Sequence, residues 1–464
     1  MKNRYLSPFI VVAVVLLSSC GACRNNLDNY IGSSETAPKS ELQLSAGEHL
    51  AGAEQDGEFA FSGEFLLSAE GRAQLLFCAD ESGDGYAVEL HNGSIDGSVK
   101  SGSLIAVRNI YRSLAADDEW FRLDVVVVGK TIQIAVNNQP VVNYTEAENP
   151  FRLECHRGKI LREGVFILKV ESGDLQARNM FVSRNVEPLL PPAEPEDEAA
   201  SRILALQQQM FPVIDFHVHL KGDLTKELAS ELSMRYGINY GVAPNAGEGG
   251  VGRMLKDDAE VYAYHEEVRP RPFLCGVQGE GRRWTQTFSA EALSIFDYLF
   301  TDAMTIVDHK GRLSRIYRPE EVFYDNINYE TYMDHLVDQT VKILSFEPAD
   351  IFANPTFLPE PLSEQYDKYW TEERVAKVLD VMQREQIALE INARYKIPSF
   401  EVIKAAKQRG LKFTFGTNNV DADFGALEYC LDAIEECGLT VEDMWMPSMS
   451  RRAERETVIY NKFD

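Results

Sequence analysis

Short runs in which apolar and polar residues alternate dominate the first half of the chain. The clearest runs lie at 58–68, 73–78, 86–91, 120–128, 131–136 and 165–170. A period of two predicts strands that bury one face. Gly129-Lys130 and Asn137-Asn138 separate neighbouring runs and predict tight hairpins. No segment here has helical periodicity, so we predict an all-β sandwich of the jelly-roll type over residues 42–186.

The pattern changes at about residue 201, where apolar runs begin to alternate with amphipathic segments. The predicted strands are 213–217, 238–243, 273–277, 298–304, 350–354, 388–391 and 412–416. The predicted helices are 225–236, 257–268, 290–297, 329–346, 372–386, 399–409 and 425–437. Such alternation predicts βα units around a parallel sheet. We therefore expect an α/β domain over residues 201–464, as a closed (β/α)7 barrel or, alternatively, an open doubly wound sheet.

Three further segments complete the predicted multidomain organisation. Lys2 and Arg4 precede an apolar run at 8–17 that is too short to span a bilayer, which predicts a secretory signal over residues 1–20. Small and polar residues at 21–41 predict a tether. Prolines and acidic residues at 187–200 predict a semi-rigid linker between the two domains.

Composition narrows the classes of partner. The 464 residues include 72 acidic and 46 basic side chains, for a formal net charge of −26. Because such a surface repels phosphodiester backbones, we expect no nucleic-acid partner. The six cysteines other than Cys20 show no CxxC spacing among themselves and do not predict a cysteine metal cluster. Cys78 and Cys155 both lie in the β domain, either as a disulfide or as free thiols.

Candidate chemistry concentrates where the predicted barrel strands end, which is where (β/α) barrels carry their active sites. The first strand ends in His217-Val-His219, and alternation places both imidazoles on one face, close enough to share a cation. Later strands are followed by further carboxylates and amides: Gln278, Glu280, Asp302, Asn354, Glu390, Asn392, Asn418 and Asn419. These residues predict a metal site at the barrel mouth. The alternative is a hydrogen-bonded polar mouth without an ion.

Other residues near these strand ends are candidates for substrate binding. Arg282 and Arg394 could hold an anionic or polyhydroxylated substrate, and Trp284 could stack on a sugar ring. We add the mouth amides to this set: Asn354, Asn392, Asn418 and Asn419. The alternative for the arginines is a surface salt bridge, and for Trp284 ordinary packing.

Three parts of the chain carry a family resemblance. The leader end Leu17-Ser-Ser-Cys20 resembles the lipobox of bacterial lipoproteins. This implies lipidation of Cys20, and the following Gly21 implies sorting to the outer membrane, facing the periplasm or the cell surface. Ile214-Asp-Phe-His-Val-His-Leu220, with Leu389-Glu-Ile-Asn392 and Thr414-Phe-Gly-Thr-Asn-Asn419, resembles the polymerase and histidinol phosphatase (PHP) superfamily across residues 211–446.

The PHP resemblance implies a seven-stranded barrel that binds divalent ions for hydrolysis. Carried over by position, the implied ligands are His217, His219, Glu280 and Asp302. Asn354-Pro355 stands where the family has His-Pro, and Thr417-Asn-Asn419 replaces an Asp and a His. Because amides are poor ligands for zinc, we expect one or two ions, zinc or else manganese or iron. Metal-activated water would be the nucleophile, and the catalytic carboxylates would be Glu280, Asp302 and Glu390.

The β domain resembles the 3-keto-disaccharide hydrolase family (DUF1080), a concanavalin-like sandwich. The similar stretches lie within residues 57–183, at 85–90, 101–104, 119–127, 134–142 and 176–182. The family's late-strand Gln-x-His is absent from Gly164-Val-Phe-Ile-Leu-Lys-Val-Glu171. The resemblance implies carbohydrate binding, with Glu89, His91 and Arg108 on the concave face.

These observations support one main hypothesis and two alternatives. The main hypothesis is an envelope-anchored, metal-dependent hydrolase that acts on a carbohydrate-derived or other small-molecule substrate. The first alternative is a non-catalytic saccharide-binding lipoprotein with a degenerate barrel. The second places hydrolase or lyase activity on 3-keto-glycosides in the sandwich.

Overall fold

The computed structural model describes residues 26–33, 41–55 and 57–448. The predicted signal peptide and the lipidation site Cys20 lie outside these ranges. Within them, no helix combines the length and the apolar character needed to cross a bilayer.

Eleven strands build the first domain. They are β1 (Gly32–Ser33), β2 (Leu42–Ser45), β3 (His49–Gln55), β4 (Phe59–Leu67), β5 (Arg72–Ala79), β6 (Tyr86–Leu90), β7 (Phe121–Val128), β8 (Thr131–Val136), β9 (Gln139–Thr145), β10 (Gly164–Ser172) and β11 (Asp174–Ser183). One sheet has the order β1-β11-β4-β7-β8-β9, with β2 also paired to β11, and the other has the order β3-β10-β5-β6. This confirms the predicted sandwich.

Alternation explains how the two sheets of the sandwich pack. Buried and half-buried residues alternate along the whole of β4, so that Phe59, Phe61 and Phe65 enter the core between the sheets. The hairpins also follow the sequence. Gly129 has a φ of +56°, and Asn137 and Asn138 have φ values of +50° and +63°, which tight two-residue turns require.

The second domain alternates strands and helices. Its strands are β12 (Ile214–Val218), β13 (Asn239–Val242), β14 (Asn245–Ala246), β15 (Met254–Leu255), β16 (Leu274–Gly279), β17 (Tyr298–Asp302), β18 (Thr305–Val307), β19 (Leu313–Arg315), β20 (Ile351–Ala353), β21 (Ala388–Asn392) and β22 (Phe413–Gly416). Its helices are α1 (Arg202–Gln208), α2 (Lys226–Tyr236), α3 (Asp258–Val268), α4 (Ala290–Ser294), α5 (Tyr329–Phe346), α6 (Tyr366–Tyr369), α7 (Glu372–Glu385), α8 (Phe400–Gln408) and α9 (Glu428–Cys437).

Seven parallel strands close into a barrel. Their order is β13-β12-β22-β21-β20-β17-β16, and β13 also pairs with β16. This last pairing closes the ring, so the closed barrel is confirmed and the open doubly wound alternative is wrong. The short strands β14, β15, β18 and β19 lie in the loops that follow the barrel strands.

The N-terminal end of the barrel is filled with apolar side chains. The first residues of several strands, including Ile214, Leu274 and Ile351, belong to one buried cluster inside it. The same cluster includes Val99 and Tyr111 from the sandwich and Trp445 from the end of the described chain; the last of these contacts Phe216 with ring centroids 5.5 Å apart. A long loop of the sandwich therefore closes this end of the barrel.

Polar contacts also join the two domains. The Asn109 side chain donates to the carbonyl of Gln207 at 2.8 Å, and its backbone carbonyl accepts from Asn239 at 2.9 Å. The predicted linker packs on the sandwich: the buried Glu198 carboxylate accepts from Arg152 at 2.6 Å. The two domains are thus joined by polar contacts as well as by the chain between them.

The structure decides between a disulfide and free thiols for Cys78 and Cys155. Cys78 is a buried free thiol and Cys155 is an exposed free thiol. The suggested Cys78–Cys155 disulfide is therefore wrong.

Candidate active site at the barrel mouth

A β-bulge in β12 directs His217 into the barrel. Asp215 pairs with Tyr240 and Val218 pairs with Val242, so β12 carries one more residue than β13 between these pairs. Phe216 belongs to the interior cluster, and the next residue, His217, also points inward, with its ring 4.8 Å from that of Phe300. The His217 and His219 ring centroids lie 5.1 Å apart.

His217 and Glu390 form a fully buried ion pair. His217 Nδ1 lies 2.6 Å from Glu390 Oε2, and its Nε2 lies 3.1 Å from Gln278 Oε1. Burial by itself would lower the pKa of His217, but the facing Glu390 carboxylate outweighs burial and raises it. The raised pKa favours the charged imidazole, which donates through both nitrogens, to a carboxylate and to an amide oxygen.

The Glu390 carboxylate is correspondingly held in its charged form. Burial would raise the pKa of Glu390, but His217 and the hydrogen bonds to the carboxylate lower it. Its Oε1 accepts from the backbone N–H of Asn354 at 3.0 Å and from Asn392 Nδ2 at 2.8 Å. The ends of β20 and β21 thus converge on one carboxylate.

Gln278 links this pair to a second carboxyl group. Its Nε2 donates to Asp302 Oδ2 at 2.9 Å, while the N–H of Met304 donates to Asp302 Oδ1 at 3.0 Å. Burial, with a smaller contribution from the charge of Glu280, raises the pKa of Asp302 to about 7. Asp302 is therefore poised to exchange a proton near neutral pH.

Loop residues hold Glu280 beside Asp302. One Glu280 oxygen accepts from Asn245 Nδ2 at 2.6 Å and from the N–H of Val251 at 3.1 Å, and the other accepts from the Tyr317 hydroxyl at 2.8 Å. Sequence reasoning missed Asn245 and Tyr317, because both lie in loops without periodicity.

Strained amides complete the mouth. Asn354 Oδ1 accepts from Asn392 Nδ2 and Asn418 Nδ2, each at 3.0 Å. The buried Asn354 Nδ2 has no hydrogen-bond partner among the described residues. Asn354 and Asn418 have φ values of +46° and +45°, in the left-handed region. Strain and an unsatisfied amide of this kind persist where the surroundings impose them, often at functional sites.

Three predicted substrate-binding residues have other roles here. Trp284 is fully buried, and its Nε1 donates to Glu347 Oε2 at 2.9 Å, so neither ring face is available to a ligand. Arg282 is bound to the same Glu347 carboxylate at 2.6 Å. Asn419 fixes the backbone of His219, accepting from its N–H at 2.7 Å and donating to its carbonyl at 3.0 Å.

Arg394 lies outside the buried network. Its side chain is exposed and donates to the carbonyl of Asn418 at 3.0 Å. It also stacks over the ring of Tyr395 at 4.9 Å. Arg394 therefore lies at the rim of the mouth and contacts none of the mouth carboxylates.

The three residues predicted to form a sugar site in the sandwich do not lie together. Glu89 is buried and bound by Arg72, and His91 Nε2 lies 2.8 Å from Lys100 Nζ. Arg108 instead faces the barrel and donates to Ser233 Oγ at 2.8 Å. Burial lowers the pKa of Arg108 to about 10 without removing its charge at neutral pH. The structure therefore separates Arg108 from the other two.

The mouth side chains, as they are arranged, do not fit a divalent ion. Both nitrogens of His217 donate hydrogen bonds, and Gln278 lies between His217 and Asp302. Burial and the charge of His217 lower the pKa of His219, whose Nδ1 lies 2.8 Å from the Ala243 carbonyl. His219 is therefore the imidazole of this pair that can offer an ion a lone pair, and Gln278 also hydrogen-bonds to its side chain.

One other cluster has the spacing of a metal site. Among the described residues, Glu70, His91 and Asp96 form the one group of three whose ligand atoms lie within 4.8 Å of one another. Lys100 Nζ lies 2.8 Å from His91 Nε2 and 3.0 Å from Asp96 Oδ1. This amine takes the position that a cation would need.

Two small spaces lie beside mouth residues. Spaces of about 10 Å³ adjoin His219 on one side and Asn354 on the other. Each is about the size that a single water requires. A reactant water would fit there, whereas a whole sugar would not.

A comparison with known protein families finds a match for the sandwich. Residues 28–183 match the family model of the 3-keto-alpha-glucoside-1,2-lyase-like domain. No curated protein matches the chain. This confirms the family predicted for the N-terminal domain, while the barrel lies outside the matched residues.

Three solved structures show the range of similar proteins. A putative glycosyl hydrolase from Parabacteroides distasonis is 10% identical with a TM-score of 0.26, covering 31% of this chain and 79% of its own. A histidinol phosphate phosphatase from Lactococcus lactis, solved with zinc, L-histidinol and phosphate, is 15% identical with a TM-score of 0.38, covering 49% and 95%. The carbohydrate-binding module CBM66 from Bacillus subtilis is 14% identical with a TM-score of 0.23, covering 30% and 84%.

Proposed function

We propose that this chain is a carbohydrate-directed hydrolase of the bacterial envelope whose chemistry takes place at the barrel mouth. The observation that carries the proposal is the buried chain of hydrogen bonds from Glu390 through His217 and Gln278 to Asp302. Burying these ionisable groups is costly, and perturbed pKa values cluster at sites that use them. The carbohydrate class is supported by the family match of the sandwich.

The proposed chemistry is proton transfer by protein groups. Hydrolysis requires one group that gives a proton to the leaving oxygen and one that takes a proton from water. Asp302, with a pKa of about 7, is available in both forms near neutral pH. Glu390 keeps His217 protonated, and this cation stabilises negative charge that develops beside it.

Metal binding at His217, His219, Glu280 and Asp302 stays a prediction. Because the present arrangement does not fit an ion, none of the proposed steps uses one. Elemental analysis of the purified chain, beside a His217→Ala/His219→Ala variant, tests it directly. One or two equivalents of zinc, manganese or iron that the variant loses would establish the metal site and overturn the proton-transfer scheme.

Activity is tested on neutral disaccharides, aryl glycosides and sugar phosphates. We expect Asp302→Asn and Glu390→Gln to reduce kcat/KM by about 10²–10⁴-fold, the range for general acid–base groups. Asp223→Asn, which changes an exposed carboxylate in the loop before α2, is the matched control and should retain full activity. Unchanged activity in both mouth variants would refute the assignment.

A saccharide-binding protein without chemistry is the second candidate. It is favoured by the burial of the mouth carboxylates, of which Glu280 is only 6% exposed and Asp302 and Glu390 are each 1% exposed. Sugar binding without turnover of any substrate class would support it. Turnover that survives both mouth variants would instead point to the sandwich and to 3-keto-glycosides.

Attachment to the outer membrane through Cys20 is also part of the proposal. Labelling cells with a radioactive fatty acid tests it. Label that is incorporated in the native chain and absent from Cys20→Ala would support the anchor. Equal labelling of both chains would refute it.

A further inference from the structure

An aromatic pocket opens beside the barrel mouth. It encloses about 490 Å³, within the usual range of small-molecule sites. We call it the aromatic pocket and define it by its five ring-bearing residues: Phe357, Tyr366, Tyr395, Phe400 and Tyr429.

The walls of the aromatic pocket begin at the mouth amides. The N–H of Tyr395 donates to Asn392 Oδ1 at 2.9 Å, and Asn392 in turn donates to Glu390. Phe357 lies in the turn that follows Asn354, and its ring meets that of Tyr395 edge to face with centroids 5.0 Å apart. Both walls are therefore attached to residues that contact Glu390.

Two tyrosine hydroxyls of the pocket are already used to fix their rings. Tyr366 donates to Thr356 Oγ1 at 2.6 Å, and Tyr429 donates to the carbonyl of Pro398 at 2.7 Å. The Tyr395 hydroxyl makes no hydrogen bond with the described residues. Burial, together with the charges of mouth carboxylates such as Asp302, raises the pKa of Tyr395. It therefore remains a neutral group that can both donate to and accept from a ligand.

The lining indicates an uncharged ligand. Among the described residues, no Asp, Glu or Arg lines the aromatic pocket; Lys396 in the lining is exposed, and the exposed Arg394 stacks over the Tyr395 ring from the rim of the mouth. A phosphate or carboxylate would therefore find no buried cation among the lining residues to pair with. A pyranose ring has an apolar face that suits aromatic rings and hydroxyls that suit Tyr395 and the nearby serines, Ser363 and Ser399.

We propose that the aromatic pocket binds one neutral pyranose ring of the substrate, packed against the rings of Tyr395 and Phe357 beside the barrel mouth. This inference rests on the proposed hydrolase and specifies its substrate class as uncharged glycosides rather than sugar phosphates. Tyr395 acts as a binding residue.

The test is calorimetric titration of the full chain with sucrose, trehalose, maltose and cellobiose, beside glucose 1-phosphate. We expect at least one neutral disaccharide to bind and the phosphate to bind more weakly. Tyr395→Ala and Phe357→Ala should each raise Kd at least about tenfold, which is the loss of a stacking partner. Tyr395→Phe, which keeps the ring and removes the hydroxyl, should raise Kd less than Tyr395→Ala does. Tyr262→Ala, which removes an exposed ring on α3, should change nothing.

The outcomes separate this inference from the proposed hydrolase. Binding that depends on Tyr395 without turnover would keep the pocket and overturn the hydrolase. Turnover or binding that is unaffected in Tyr395→Ala and Phe357→Ala, with both variants folded by circular dichroism, would overturn the pocket. Preferential binding of glucose 1-phosphate would also overturn it.

Discussion

Replacing Asp302 by asparagine should make the protein less sensitive to rising pH. Asp302 is fully buried, and its pKa is raised from 3.8 to about 7. In the unfolded chain the same carboxyl ionises near its ordinary value, so between about pH 4 and pH 7 the folded state holds a proton that the unfolded state has lost. The contribution of Asp302 to the free energy of unfolding is fully present below about pH 4, and it is lost as pH rises through about 7.

The magnitude follows from the size of the shift. A difference of about three pKa units corresponds to about 4 kcal/mol when the loss is complete. Between pH 5 and pH 8 the loss assigned to Asp302 is about 2–3 kcal/mol. Asp302→Asn removes the ionisation and keeps the shape, and the new side-chain oxygen can accept from Gln278 Nε2 as the Asp302 carboxyl does. As pH rises from 5 to 8, the free energy of unfolding of the variant should therefore increase by about 2–3 kcal/mol relative to that of the native chain.

Urea unfolding at pH 5, 6, 7 and 8, followed by tryptophan fluorescence, measures the effect. The exposed Asp223→Asn variant is the control and should track the native chain at every pH. Free energies of unfolding for Asp302→Asn that run parallel to the native values would refute the raised pKa. That result would also remove the proton donor from the proposed mechanism.

Three other experiments test the packing of the structure. Glu347→Ala removes the nearer of two carboxylate partners from the largely buried Arg282 and should cost about 3 kcal/mol by urea unfolding; an effect below about 1 kcal/mol would contradict the ion pair. Trp445→Ala empties the N-terminal end of the barrel and should cost about 3–5 kcal/mol, so an unchanged midpoint would contradict the packing there. A thiol reagent should label Cys155 in the native chain and Cys78 only after denaturation, and equal labelling rates would contradict their assigned burial.

Periodicity was sufficient for the order and type of the elements, because several sandwich strands and most helices bury one regular face. The alternation along β4 and the amphipathic α5 and α7 are visible in the sequence, and the structure has them at nearly the predicted bounds. The closing pair between β13 and β16 could not be predicted in this way, since local pattern does not determine which strands become neighbours across a sheet.

The site was harder to predict, because irregular backbone controls it. A bulge, which simple alternation does not anticipate, places Phe216 and His217 together inside the barrel. Trp284 follows a strand end closely enough to suggest the mouth, yet a turn buries it against Glu347. Tyr317 reaches Glu280 from a loop distant in sequence. Where loops carry the chemistry, tertiary contacts decide which side chains meet.

The closure of the barrel by a sandwich loop has a consequence for how this chain can have evolved and how it can be engineered. Val99 and Tyr111 fill a hole that the barrel's own strands leave open. The barrel is therefore not a portable module: excised from its neighbour, it would expose an apolar opening and tend to aggregate. A substitution on one side of this contact therefore requires a compatible side chain on the other side. A chimera that exchanges the sandwich for a homologue should succeed only if the incoming loop supplies side chains of matching volume.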